Sequence, residues 1–102
     1  MAKIVALVKR KDGMTYAEFV SYWQDHHAHV VSRLPGLRRY VQNPAREGHQ
    51  WLYDGMAELW FDDVDAIRTA FRSTESDDVR ADEPNFVDTI DWFIADEHPV
   101  IA

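Results

Sequence analysis

The chain has 102 residues, 46% of them apolar and 13% aromatic, with no cysteine and a formal net charge of −7. That length suits a single domain spanning residues 1–102, and that apolar fraction excludes a disordered chain, because enough surface can be buried to offset the entropy of ordering. Without cysteine there is no disulfide framework, thiolate metal site or cysteine nucleophile. An acidic chain also lacks the basic face that nucleic acid or an anionic membrane surface requires. No apolar run approaches the roughly 18 residues of a membrane span. The N-terminal apolar stretch is too short for a signal peptide, so a soluble, cytoplasmic protein is expected.

Residues 4–8 are consecutive apolar side chains, bounded by Lys3 and by Lys9-Arg10-Lys11-Asp12-Gly13. The run is too short for a helix and ends in an Asp-Gly turn, which predicts a strand buried on both faces. Thr15 with Glu18 forms a capping box, and Met14 with Phe19 a hydrophobic staple, opening a helix. Tyr16, Phe19, Val20, Trp23, His27, Val30, Val31 and Leu34 then recur at helical spacing until Pro35-Gly36. Residues 37–43 alternate as a second strand, with Arg38, Tyr40 and Gln42 on one face and Leu37, Arg39 and Val41 on the other.

A polar loop over residues 45–50 leads to a third strand, residues 53–61. There Met56, Glu58 and Trp60 oppose Ala57, Leu59 and Phe61. Asp62-Asp63 caps a second helix, whose inward face is Val64, Ile67, Ala70 and Phe71. Residues 73–84, acidic and rich in small side chains, read as a short helical turn and a loop. Residues 86–97 form a fourth strand, in which Ile90, Trp92 and Ile94 alternate with Asp91, Phe93 and Ala95.

This β-α-β-β-α-β order predicts the ferredoxin-like α+β fold, a four-stranded antiparallel sheet with its helices on one face. Two helices leave the other face open, and an open face bearing Trp60 or Trp92 exposes an apolar patch that soluble monomers rarely tolerate. A second copy packed sheet to sheet resolves this, so a homodimer enclosing a barrel-like interior is expected. Phe19, Phe61, Phe71 and Phe93 are expected to be packing residues.

The segment Asp25-His26-His27-Ala28-His29 invites a metal reading, but no histidine pair has the i, i+4 spacing with a supporting carboxylate that zinc sites on helices use. His26 and His29 read as solvated, with Asp25 and His29 as a surface pair, and no metal is expected. His27 differs because it lies on the apolar stripe one turn past Trp23. It is either a core histidine with a satisfied ring or a general acid/base whose burial keeps it neutral near pH 7.

Tyr40 on a neighbouring strand reads as a hydrogen-bond donor to an oxyanion or as an amphipathic rim residue. Arg38 reads as a holder of a carboxylate or enolate, or as a solvent-facing edge charge. Glu58, set among apolar neighbours, is either paired with Arg38 or Arg39 or serves as a second acid/base group. The four tryptophans are core residues first, with an aromatic-lined pocket for a planar ligand as the alternative.

At these residues the sequence resembles the EthD-domain family of the dimeric α+β barrel superfamily. The likeness runs through Lys9-Arg10-Lys11-Asp12-Gly13-Met14-Thr15, Glu18-Phe19, Tyr22-Trp23 and His27-Ala28. It continues through residues 34–43 and 53–61, then Asp82-Glu83-Pro84-Asn85-Phe86 and Asp96-Glu97-His98. The resemblance implies a small homodimer with an active cavity between sheet and helices. It also implies cofactor-free chemistry, with the helix histidine and second-strand tyrosine in the pocket, here His27 and Tyr40, and Trp23 facing it. The expectation is an enzyme acting by proton transfer on a small aromatic or lactone-like substrate, either isomerising it or exposing its anion to dioxygen. His27 and Tyr40 are the expected catalytic pair; Trp23, Arg38, Glu58 and Trp60 are the expected substrate contacts. The alternative is a non-catalytic small-molecule binding or accessory protein of a degradation or biosynthetic pathway.

Overall fold

In the computed structural model, which describes residues 1–102, the N-terminal apolar run extends at both ends into β1, Ala2–Arg10. The Asp12-Gly13 turn follows, with Gly13 at φ +82°, a left-handed conformation that glycine adopts without a side-chain clash. Thr15 caps α1, Tyr16–Tyr22, and both hydrogen bonds of the capping box with Glu18 are present. The expected single long helix is interrupted. Residues Trp23–His27 form a π-helical turn, and α2, Ala28–Val31, completes the element.

The second strand, β2, spans Arg39–Pro44, and the third, β3, spans Gly55–Phe61. Both start two residues later than their alternation suggests. Asp63 caps α3, Val64–Phe71, by accepting from the Ala66 N–H at 2.8 Å. The expected turn and loop over residues 73–84 is instead a nine-residue helix, α4, Thr74–Asp82, closed by a 3-10 turn at Glu83–Asn85. Its inward side is Ser76, Val79 and Asp82, with a single apolar residue among the three. Apolar periodicity therefore had almost nothing to register. Finally, β4 spans Val87–Asp96.

The sheet order is β2-β3-β1-β4 and every pair is antiparallel. Ile4, Val8, Ala57, Leu59 and Phe61 join Phe19, Trp23, Val30, Val31, Leu34, Ile67 and Ala70 in one core between sheet and helices. Residues paired across an antiparallel ladder share a face. Register therefore puts Tyr40, Leu59, Ile4 and Ile94 in one row on the helix side, and Gln42, Ala57, Ala6 and Trp92 in the next. Val41, Glu58, Val5 and Phe93 form a row on the helix-free side.

Two expectations about the open face change. Trp92 lies on the helix side, on an edge strand, where it is 63% exposed. Trp60 does lie on the helix-free side but is nearly buried, with Arg39 and Lys3 over its ring at 4.5 and 5.1 Å and its indole N–H donated to Glu97. Phe93, expected to pack internally, is the exposed aromatic of that face, because β4 alternates and the helices lie on the other side.

Candidate functional site

His27 closes the π-helical turn and is buried. Its imidazole meets the Phe86 ring at 4.6 Å, and its Nδ1 lies 2.7 Å from the carboxylate of Asp82 at the end of α4. Asp82 is itself buried and accepts from Tyr22, and from Asn85 at 3.1 Å, while His26 Nε2 stands 3.4 Å from the same carboxylate. Burial works against the Asp82 charge. The hydrogen bonds from Tyr22, His27 and Asn85 outweigh it and hold the carboxyl below its ordinary range.

Burial likewise pushes the His27 imidazole down, against the pull of Asp82. Near pH 7 this leaves a neutral ring beside an ionised carboxylate. A carboxylate can only accept, so the ring proton sits on Nδ1 and the lone pair on Nε2. Nε2 makes no hydrogen bond within the chain, yet no buried side-chain nitrogen or oxygen lacks a partner. It follows that Nε2 keeps some contact with solvent. A fixed imidazole with one anchored nitrogen and one free, basic nitrogen is suited to abstracting a proton.

Tyr40 sits on the helix side of β2. Burial pushes its phenol up to about 12, although hydrogen bonding by Gln42 and Trp23 favours the phenolate. The phenol is therefore protonated at neutral pH and able to donate. Trp23 is buried, packs at a tilt against Phe19 with ring centroids 5.3 Å apart and covers Gly55, where a Cβ would stand 2.7 Å from the indole. Its backbone carbonyl accepts from the Gln42 side chain at 2.9 Å, and the same nitrogen lies 2.8 Å from the Tyr40 oxygen. Strand β2 is thereby tied to the turn that carries His27.

Ala57 and Ala6 lie between Gln42 and Trp92 in one row beneath the helices. Ala6 keeps partial solvent access although β1 is an interior strand. The helices do not close fully on the sheet there. A separate open cleft of about 620 Å³ lies at the far end of β1, lined by Arg10, Tyr16, Arg46, Trp51 and Asp54 among others, and neither His27 nor Tyr40 borders it.

The six residues singled out from sequence divide between two faces and the surface. His27, Tyr40 and Trp23 lie between helices and sheet. Arg38 does not join them. It precedes β2 and makes a two-pronged pair with Asp62 at 3.1 and 2.9 Å, both side chains more than half exposed. Glu58 and Trp60 face the helix-free side. Glu58 is paired with Lys3 at 2.9 Å and accepts from Asn43, not from Arg38 or Arg39, and Lys3 holds its carboxyl down.

Asp25 accepts from Ser21 rather than meeting His29. Asp82 is the residue that sequence reasoning missed as chemistry. Its only signal was an acidic residue on the inner side of a helix whose apolar pattern is too thin to show that side.

Residues 11–90 match the EthD domain family profile. No curated protein matches the chain. Among solved structures, an ethyl tert-butyl ether D (EthD) family protein from Bacillus halodurans has a TM-score of 0.81 at 22% identity, covering 96% of this chain and 99% of that one. A dimeric ferredoxin-like protein of unknown function from Thermobifida fusca has a TM-score of 0.74 at 15% identity, covering 92% and 88%. SnoaB, a cofactor-independent oxygenase from Streptomyces nogalater, has a TM-score of 0.64 at 20% identity, covering 94% and 91%. At such identities the likeness to these structures is one of fold. No helix of the chain is long and apolar enough to cross a membrane.

Proposed function

The chain belongs to the EthD-domain family, and from that premise we propose that it is an enzyme performing cofactor-independent proton transfer on a small aromatic or lactone-like molecule. The observation that carries this reading is the anchored His27, held by Asp82 through Nδ1 with Nε2 left open. In this reading His27 takes a proton from carbon next to a carbonyl, and the Tyr40 hydroxyl donates to the carbonyl oxygen as it gains charge. Returning the proton to a different carbon isomerises the substrate. If instead dioxygen adds to the carbanion, protonation gives a hydroperoxide, and loss of water from it leaves a ketone. The cofactor-independent oxygenase among the structural neighbours supports that second branch.

The active unit in this proposal is a homodimer, with the helix-free face of each copy covered by the other. Two neighbours described as dimeric support it, as does the exposed Phe93 beside Val5 and Val41.

The test uses anthrone in air, followed by absorbance, and deuterium exchange into a methyl-substituted butenolide, followed by NMR. Exchange or oxidation above the buffer rate is expected, with a loss of about 10²–10⁴-fold in His27→Ala. Activity retained in a folded His27→Ala protein overturns the assignment. Binding of both compounds without any turnover favours the non-catalytic reading.

A further inference from the structure

We propose that Gln42 is a positioning residue that makes the Tyr40 hydroxyl a dedicated donor, so that the site selects ligands presenting an acceptor oxygen, such as an enolate, phenolate or carboxylate. The proposal rests on the reading that Tyr40 faces the substrate, and it assigns the selectivity to a residue outside the catalytic pair.

The chemistry of an amide nitrogen sets the direction of these hydrogen bonds. Such a nitrogen carries two hydrogens and accepts nothing. Gln42 Nε2 lies 2.9 Å from the Trp23 carbonyl, which can only accept, and this fixes which end of the amide faces the π-helical turn. The opposite orientation sets two carbonyl oxygens against each other. The second hydrogen of Nε2 then points at the Tyr40 oxygen, 2.8 Å away. Tyr40 is thereby an acceptor toward Gln42, and its own hydrogen has no acceptor among the side-chain hydrogen bonds of the chain.

The Trp23 carbonyl is available because the turn is irregular. In an α-helix it would be bonded to the N–H four residues on. Here the Ala28 N–H, five residues on, takes that place, and the wider turn presents the carbonyl to β2 as well. A ligand arriving at Tyr40 consequently meets an O–H with its direction already set. An acceptor oxygen completes the arrangement, whereas a donor must compete with Gln42 for the same oxygen.

The experiment compares pentafluorophenolate with pentafluoroaniline at pH 8, two probes of similar shape, of which only the first presents an acceptor oxygen and the second presents N–H donors. Binding is followed by the absorbance of each probe. Wild-type protein is expected to bind pentafluorophenolate at least tenfold more tightly than pentafluoroaniline. Gln42→Leu is expected to reduce that preference to within threefold, and Gln42→Met serves if the leucine variant does not fold. Gln42→Glu places an acceptor beside Tyr40, turns the hydroxyl toward itself, and is expected to reverse the preference. Equal affinity for the two probes in wild type, no binding of either, or a preference unchanged in whichever of Gln42→Leu and Gln42→Met folds overturns the proposal. Tyr40→Phe separates the two levels. If it removes the preference while the Gln42 variants keep it, only the role of Gln42 fails. If phenolate binding is unchanged in Tyr40→Phe, the reading of Tyr40 as substrate-facing fails too.

Discussion

His27 and Asp82 lie 55 residues apart in the chain, yet Nδ1 of the one stands 2.7 Å from the carboxylate of the other, and both side chains are buried. Their pairing joins the π-helical turn to the end of α4. It also sets the protonation of both: burial lowers the imidazole, and hydrogen bonds keep the carboxyl ionised.

The pair predicts a pH profile. Only the neutral imidazole accepts a proton, so kcat/KM for any proton-transfer substrate should rise with pH and level off. Its inflection should fall below the ordinary histidine value of 6.5, since burial lowers His27. In Asp82→Asn the charge that opposes this lowering is gone. The inflection should move lower still, with the plateau rate reduced by about 10²–10⁴-fold. A pH–rate series on both proteins checks this; an Asp82→Asn profile shifted upward contradicts it.

Stability carries the same signature. A depressed histidine binds its proton more weakly folded than unfolded, so its contribution is complete above 6.5 and is lost as pH falls toward the lowered value. The slope in that window is at most about 1.4 kcal/mol per pH unit for one proton. Asp82, also depressed, adds its own loss below its ordinary value of 3.8. Urea titrations across pH should show the upper step in wild type and not in His27→Gln.

Asp82→Ala should destabilise the fold more than His27→Gln does. It leaves the buried His27 donor, the half-buried Tyr22 hydroxyl and the Asn85 amide facing no carboxylate. A loss of about 2–4 kcal/mol is expected, measured by urea unfolding, since donors to a charged partner are left unmet.

Gly55→Ala should be costly although alanine suits a strand better than glycine. Its Cβ would stand 2.7 and 2.8 Å from the buried Trp23 ring and 3.2 Å from the Asn43 carbonyl. The indole must move, and it belongs to the turn that carries His27. A loss of about 1–3 kcal/mol and a fall in activity together are expected, from thermal melts and rates.

In the proposed reading, the two faces of β4 separate the dimer interface from the pocket. Phe93→Asp, on the helix-free side, should shift the mass measured by light scattering toward the monomer. Trp92→Asp, on the helix side, should leave that mass unchanged. The reverse pattern would place the interface on the wrong side of the sheet.

Local patterns were strong enough to reveal most of the architecture. The capping box at Thr15, the apolar stripe of α1 and α2, and the alternation in β3 each act between near neighbours, and each is present. The ferredoxin-like order follows from them. His27 was also legible, because a histidine on an apolar stripe must be buried. Helix α4 was not legible, since its inner side carries Ser76, which bonds back to the Phe71 and Ser73 carbonyls, and Asp82, whose partner His27 lies elsewhere in the chain.

What the sequence determined by itself was therefore the four strands, the helices with a clear apolar stripe and their order, because these depend on spacing within a few residues. What only the tertiary structure decided was which polar groups meet. Arg38 went to Asp62, Glu58 to Lys3, and His27 to Asp82. A buried or bridged charge takes whatever partner the register and packing bring within about 3 Å, and no local spacing encodes that choice.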